Sequence, residues 1–153
     1  MLQTSDPLYV EDLINDPNFN IDDYCGYVYM TCHDLTGRRY IGKKVFHHTT
    51  TKKLGKKELT EIPVTRGKRP TKKTVVKESD WKTYYGSAKP ILEMLKEGKQ
   101  QEFKHEILEL VYSKKLLTYY ECKYLFMYGV LEKPLEYFND NILGKFYRKD
   151  FLL

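Results

Sequence analysis

Glu121 lies in a stretch, about Lys114 to Leu131, whose apolar residues recur at helical spacing. At about 100° per residue, Leu117, Tyr124, Leu125 and Tyr128 all fall within about 60° of it, so the carboxylate shares the face that turns inward. An unpaired carboxylate there is costly, and it needs a hydrogen-bond partner, a cation or a metal ion. A nearby lysine or tyrosine hydroxyl would make it a boundary glutamate; a divalent cation would make it a site. Far upstream stand two tyrosine-rich segments, Gly26-Tyr27-Val28-Tyr29 and Arg38-Arg39-Tyr40-Ile41-Gly42-Lys43-Lys44. Tyr29 and Tyr40 could serve only as hairpin packing, and the residues around them must decide.

The elements that would carry these residues can be read along the chain. Between the tyrosine segments, Asp34 through Gly37 offers the residues of a tight turn, including a glycine free to take positive φ, which predicts a β-hairpin over about Cys25 to Phe46. A helix over Leu8 to Ile14 is expected behind Ser5-Asp6-Pro7, inside an acidic lead-in of residues 1–24 that holds no lysine or arginine. From about His47 to Asp80 little hydrophobic periodicity is visible, and the stretch reads as a long excursion with Val75-Val76 as a short extended piece. Order resumes at Trp81. Ser87 suits the N-cap of a helix with Pro90 in its first turn and Gly98 at its end. Phe103 to Tyr112 reads as a third strand buried on both faces, followed by the Glu121 helix. Strand, strand, helix, strand, helix implies a small α/β sheet flanked by helices.

Charge is split sharply along the chain. From Lys43 to Lys77 there are twelve lysines and arginines against Glu58 and Glu61, a net +10 in a chain whose total is +5, which leaves the remainder acidic. Such density is a footprint for a polyanion, phosphate backbone being the commonest, although a solvated lysine-rich loop would look the same. Lys52, Lys53, Lys56, Lys57, Arg66, Lys68, Arg69, Lys72 and Lys73 are the expected nucleic-acid contacts. Aromatics are absent between Lys52 and Lys77, so the segment offers positioning along phosphates rather than base stacking. At 153 residues and 41% hydrophobic content the chain can bury one real core. No run of 18 or more apolar residues and no apolar leader argue against membrane insertion and secretion. Cys25, Cys32 and Cys122, odd in number and without paired metal-ligand spacing, fit small buried hydrophobes in a reducing cytosol.

The tandem triplets Tyr27-Val28-Tyr29 and Tyr40-Ile41-Gly42, with Glu121 on a late helix and Asn139 in Tyr137-Phe138-Asn139-Asp140-Asn141, resemble the GIY-YIG nuclease family over about residues 25–142. The resemblance is to the small standalone type found in phages and mobile elements, whose second triplet continues into two lysines. It implies a three-stranded antiparallel sheet flanked by helices, here with a basic insertion at 47–80 and a C-terminal tail at 143–153. It further implies a metal-dependent endonuclease that hydrolyses DNA phosphodiester bonds in the cytoplasm, the host's if phage-encoded. Tyr29 would be the general base, one Mg²⁺ (or Mn²⁺) on Glu121 would stabilise the leaving oxygen, and Tyr40 and Asn139 would orient the site. A tyrosine with a solution pKa near ~10 needs positive charge to act at neutral pH, and Lys43 and Lys44 are the obvious source.

One departure stands out. Many members carry an arginine, often with a histidine one turn later, on the helix after the second triplet, whereas no arginine or histidine occurs here between Arg69 and His105. Lys43 or Lys44 would take over, with His47 and His48 as further candidates and His105 as a structural residue. The gap keeps open a second reading, a DNA- or RNA-binding protein on the same fold without cleavage. Target preference, nicking or double-strand cutting, and the formation of a homodimer are not legible.

Overall fold

The tyrosine hairpin forms as its turn residues dictate. β2 (Gly26–His33) and β3 (Arg39–Val45) pair antiparallel with Tyr29 opposite Gly42, and Gly37 closes the turn at φ 72°. The computed structural model describes residues 6–63, 67 and 70–152, and the chain divides into two units, residues 1–46 with 80–153 and residues 47–79. In the first unit β2 is central, flanked by β3 and by β6 (Phe103–Val111). The three expected strands are joined by a fourth, the two-residue β1 (Leu8–Tyr9), in the antiparallel order β1-β6-β2-β3. The helix expected from Leu8 therefore starts later, as α1 (Val10–Asn15); Ser5 of the expected cap lies outside the described residues.

Alternation along β2 explains the two-sided core. Val28 and Met30 face α4 (Lys114–Met127) and pack with Ile41, Val111, Leu117, Leu125 and Tyr137. Tyr27 and Tyr29 face the other way, onto Val10, Leu13, Phe46, Trp81 and Ile107. The segment after Trp81 is laced onto this second face: the Trp81 carbonyl accepts from Tyr27 Oη at 3.2 Å, and the Tyr85 carbonyl accepts from Thr31 Oγ1. It leads into α3 (Lys89–Lys96), which is capped by Ala88 rather than by the expected Ser87. Ser87 is diverted because its hydroxyl is hydrogen-bonded to Tyr40. Beyond α4 the chain returns along the open edge of β3 and ends in the small hairpin of β7 (Asn141–Ile142) and β8 (Phe146–Tyr147), so the expected tail folds back. The result is a mixed α+β fold with antiparallel sheets. The three cysteines are free and half-buried, and among the described residues no helix is long and apolar enough to cross a membrane.

The second unit is not the loop expected from its lack of periodicity. β4 (His47–Lys53) and β5 (Lys72–Glu78) form a seven-residue antiparallel ribbon, with α2 (Lys56–Glu61) following the first strand. The missed signal is physical: nearly every ribbon residue is exposed, so neither face carries an apolar alternation to read. Its β-branched runs, Thr49-Thr50-Thr51 and Thr74-Val75-Val76, supply strand propensity instead.

Candidate active site

β3 is an edge strand, and its outward backbone groups at Arg39 and Ile41 are met by groups arriving from the later chain. At Arg39, the N–H donates to the Glu136 carbonyl at 2.9 Å and the carbonyl accepts from Phe138 N–H at 2.7 Å. At Ile41, both groups are taken by the Asn139 side chain, whose Oδ1 accepts at 3.0 Å and whose Nδ2 donates at 2.8 Å. At Lys43, the backbone N–H is near enough to the Glu121 carboxylate to lower its pKa. The edge thus aligns Asn139 and Glu121 two residues apart along one strand.

In front of this edge lies a groove of about 730 Å³. Tyr40, Lys43, Glu121 and Asn139 line it, together with Ser87, Lys89, Arg38 and Arg148. Burial pushes the Glu121 carboxyl above the usual range, and the Lys43 charge and backbone N–H pull it partly back. Lys43 Nζ itself donates to Thr118 Oγ1, one turn before Glu121, at 2.9 Å. Among the described residues no basic side chain reaches ion-pair distance of Glu121, and no cluster of three or more His, Cys, Asp or Glu could hold a metal alone. Tyr40 Oη and Ser87 Oγ are 2.8 Å apart. Burial raises the Tyr40 pKa, and the Ser87 hydrogen bond opposes that rise.

Tyr29 occupies a different position. It is 1% exposed, behind Tyr40 with ring centroids 6.2 Å apart, and it does not line the groove. Its hydroxyl lies over Gly42, where an added Cβ would come within 2.5 Å, so only glycine leaves room there. Burial drives its pKa well above the usual value, reinforced by Tyr40 and Tyr84. The lysine charge expected to favour its ionisation is committed elsewhere: Lys44 pairs with Asp80 and lies 3.9 Å over the Tyr84 ring, and Lys43 turns to the groove. His105 packs edge-on against Tyr29 at 4.7 Å, its pKa lowered by burial to about 3, so it is neutral and away from the groove.

The groove also holds charges that spacing did not reveal. Arg38 Nη2 donates to the Pro134 and Tyr137 carbonyls, and Arg148 Nη2 to those of Tyr137 and Asn139. The two guanidiniums meet at one carbonyl and repel, which lowers the Arg38 pKa after desolvation has done the larger part. Arg148 belongs to the segment expected as a tail, and only the tertiary return of the chain brings it here. A separate cavity of about 530 Å³, against α1, β1 and β6, is lined by Glu11, Asp12, Lys104 and His105 and by none of the expected site residues.

In the second unit Lys52 and Lys53 fall on β4, Lys72 and Lys73 on β5, and Lys56 and Lys57 open α2. His47 and His48 begin β4, whereas Arg66, Lys68 and Arg69 lie outside the described residues. No curated protein and no solved structure matches the chain. Residues 10–142, however, match the family described as "Putative endonuclease segE, GIY-YIG domain". With its triplets on the central hairpin, Glu121 on the late helix and Asn139 on the returning segment, this chain belongs to the segE-type GIY-YIG endonuclease family.

Proposed function

We propose that this protein is a Mg²⁺-dependent endonuclease that hydrolyses phosphodiester bonds of double-stranded DNA in the groove along the β3 edge. The observation that carries the reading is the convergence of Tyr40, Lys43 and Glu121 on one groove rimmed by Arg38, Lys89 and Arg148. Four cationic side chains against the two carboxylates that line the groove, Glu121 and Asp140, favour a phosphate, and they offset repulsion between Glu121 and the substrate. One carboxylate fits Mg²⁺, which binds through one or two carboxylates, waters and substrate phosphate rather than a full protein cage. Glu121 would hold the ion, which when bound stabilises negative charge developing on the leaving oxygen; Mn²⁺ suits the same donors.

The chain's own residues do the rest. Lys43 opposes the rise that burial imposes on the Glu121 pKa, and it would face the substrate phosphate. Tyr40 Oη is the phenol that lines the groove; as its phenolate, stabilised by a hydrogen bond from Ser87 Oγ, it would accept the proton of the attacking water. This gives the base to Tyr40 and leaves Tyr29 to support it from behind, reversing the two tyrosines' roles implied by the resemblance. The reason is access: Tyr29 is sealed and its ionisation strongly opposed. Asn139 acts through the backbone of Ile41, on which the Tyr40–Lys43 stretch depends. The basic residues of the second unit hold the DNA backbone.

The competing reading, a DNA or RNA binder without cleavage, draws on α3, which gives the groove Lys89 and no arginine. A plasmid-cleavage assay in Mg²⁺, in EDTA and with Glu121→Gln separates the two. Metal-dependent cutting that the variant loses supports the nuclease; DNA binding without cutting under every condition supports the binder.

A further inference from the structure

The ribbon of residues 47–79 has two chemically different faces. Strand alternation and register put Thr49, Thr51 and Lys53 with Val76, Thr74 and Lys72 on one face, whose end at the base of the ribbon holds His47 opposite Glu78. His48, Thr50 and Lys52 with Lys77, Val75 and Lys73 form the other. The second face is engaged within the unit: Lys73 pairs with Glu58 of α2, and Val75 is half-buried. The first face is open. Val76 is 61% exposed between threonines, and among the described residues no carboxylate reaches Lys53 or Lys72.

Two features of the open face point outward. Lys53 and Lys72 are direct cross-strand partners, and like charges in that relation oppose the pairing unless an anion bridges them. Lys52 and Lys73 repeat the arrangement, with Glu58 answering one of the two. Moreover, an isolated two-stranded ribbon is marginally stable in water, so an external polyanion would supply what the unit lacks. The threonines and Val76 add hydroxyl donors and acceptors and methyl groups, the groups that read base edges and contact the thymine methyl. With no Phe, Tyr or Trp, and imidazoles only at His47 and His48 at one end, the ribbon has no row of rings along its length for stacked single-stranded bases. Seven residues per strand give a length of roughly 24 Å, and a two-stranded ribbon fits the major groove, which is about 12 Å wide.

We propose that the β4–β5 ribbon enters the major groove of duplex DNA, with Thr49, Thr51, Thr74 and Val76 toward the base edges and Lys53 and Lys72 on flanking phosphates. The inference rests on the DNA-directed reading above and deepens it. Lysines set affinity, and the threonine–valine face sets which sequence is held.

The full-length protein carrying Glu121→Gln, bound to a pool of duplexes with a randomised segment, tests this. A preferred sequence should emerge, and Thr51→Ala/Thr74→Ala should reduce discrimination at some positions by roughly tenfold, a larger loss than the variant suffers on random duplex. Lys53→Ala/Lys72→Ala should weaken all sequences alike and lower the slope of log affinity against log salt by about 2. A second arm needs no protein variant: 7-deazapurines within the preferred site should weaken binding severalfold, since they remove the N7 acceptors of the major groove, while a minor-groove ligand should not compete. Selectivity indifferent to the threonines and to 7-deazapurines, or single strands bound as tightly as duplex, would overturn the proposal and leave the nuclease reading standing. Ribbon-dependent selection by a wild-type protein that never cuts would overturn the nuclease reading and keep this one.

Discussion

The amide of Asn139 clasps the backbone of Ile41 at both ends, accepting from its N–H and donating to its carbonyl. It takes the place of the next residue in a β ladder at the point where the returning segment leaves the strand. Asn139→Ala strands two buried backbone groups, at a cost of about 2–4 kcal/mol, and the melting temperature should fall by roughly 5–15 °C. Differential scanning calorimetry checks this; an unchanged Tm would mean that the clasp is dispensable.

Glu121→Gln should lower single-turnover cutting by at least about a thousandfold while DNA affinity without metal stays within about twofold. The native carboxyl is raised by burial, so it protonates at higher pH than an ordinary glutamate, and cutting should fail on mild acidification. Lys43→Met removes the charge that opposes this rise, so the acid limb should move to higher pH. A limb that stays fixed would separate Lys43 from Glu121.

The two tyrosines give a direct contrast. Tyr40→Phe should cost about 10²–10⁴ in the cleavage rate, and Tyr29→Phe less than about tenfold. Since the Ser87 hydrogen bond lowers the Tyr40 pKa, Ser87→Ala should raise it and move the rising limb that ionisation of this base sets in the pH–rate profile to higher pH. The opposite ranking of the phenylalanine variants would return the base to Tyr29.

His105 should govern acid stability. In the folded chain it stays neutral to about pH 3, whereas an unfolded histidine takes up a proton below about pH 6.5. Stability is therefore full above pH 6.5 and is lost at about 1.4 kcal/mol per unit as pH falls toward 3. Urea midpoints should drop more between pH 7 and pH 5 in the wild type than in His105→Leu; equal drops would place the acid sensitivity in other groups.

What the chain discloses depends on how local its causes are. The hairpin, β6, α3 and α4 carry their own periodicity and caps, and Glu121 betrays itself by occupying an apolar face. The ribbon gives no such signal, because strands exposed on both sides need no alternation. β1 is too short to have a period, and it exists because β6 offers an edge. Tyr40 and Tyr29, nearly interchangeable in the sequence, are told apart only by packing, since Trp81 to Ser87 covers one and leaves the other at the groove. Arg38 and Arg148, a full domain apart in sequence, meet on the Tyr137 carbonyl only after the chain has come back.

His47 and Glu78, the first and nearly the last residues of the inserted unit, are cross-strand neighbours. The chain thus leaves after Phe46 and comes back at Asp80 through a gate one strand-pair wide. To the folding of the host, everything beyond that gate counts as a tight connection, with little closure entropy added however long the excursion. Length and lettering of the excursion are consequently free to drift while the chemistry stays put, and a ribbon of different sequence could be exchanged through the same gate as a cassette.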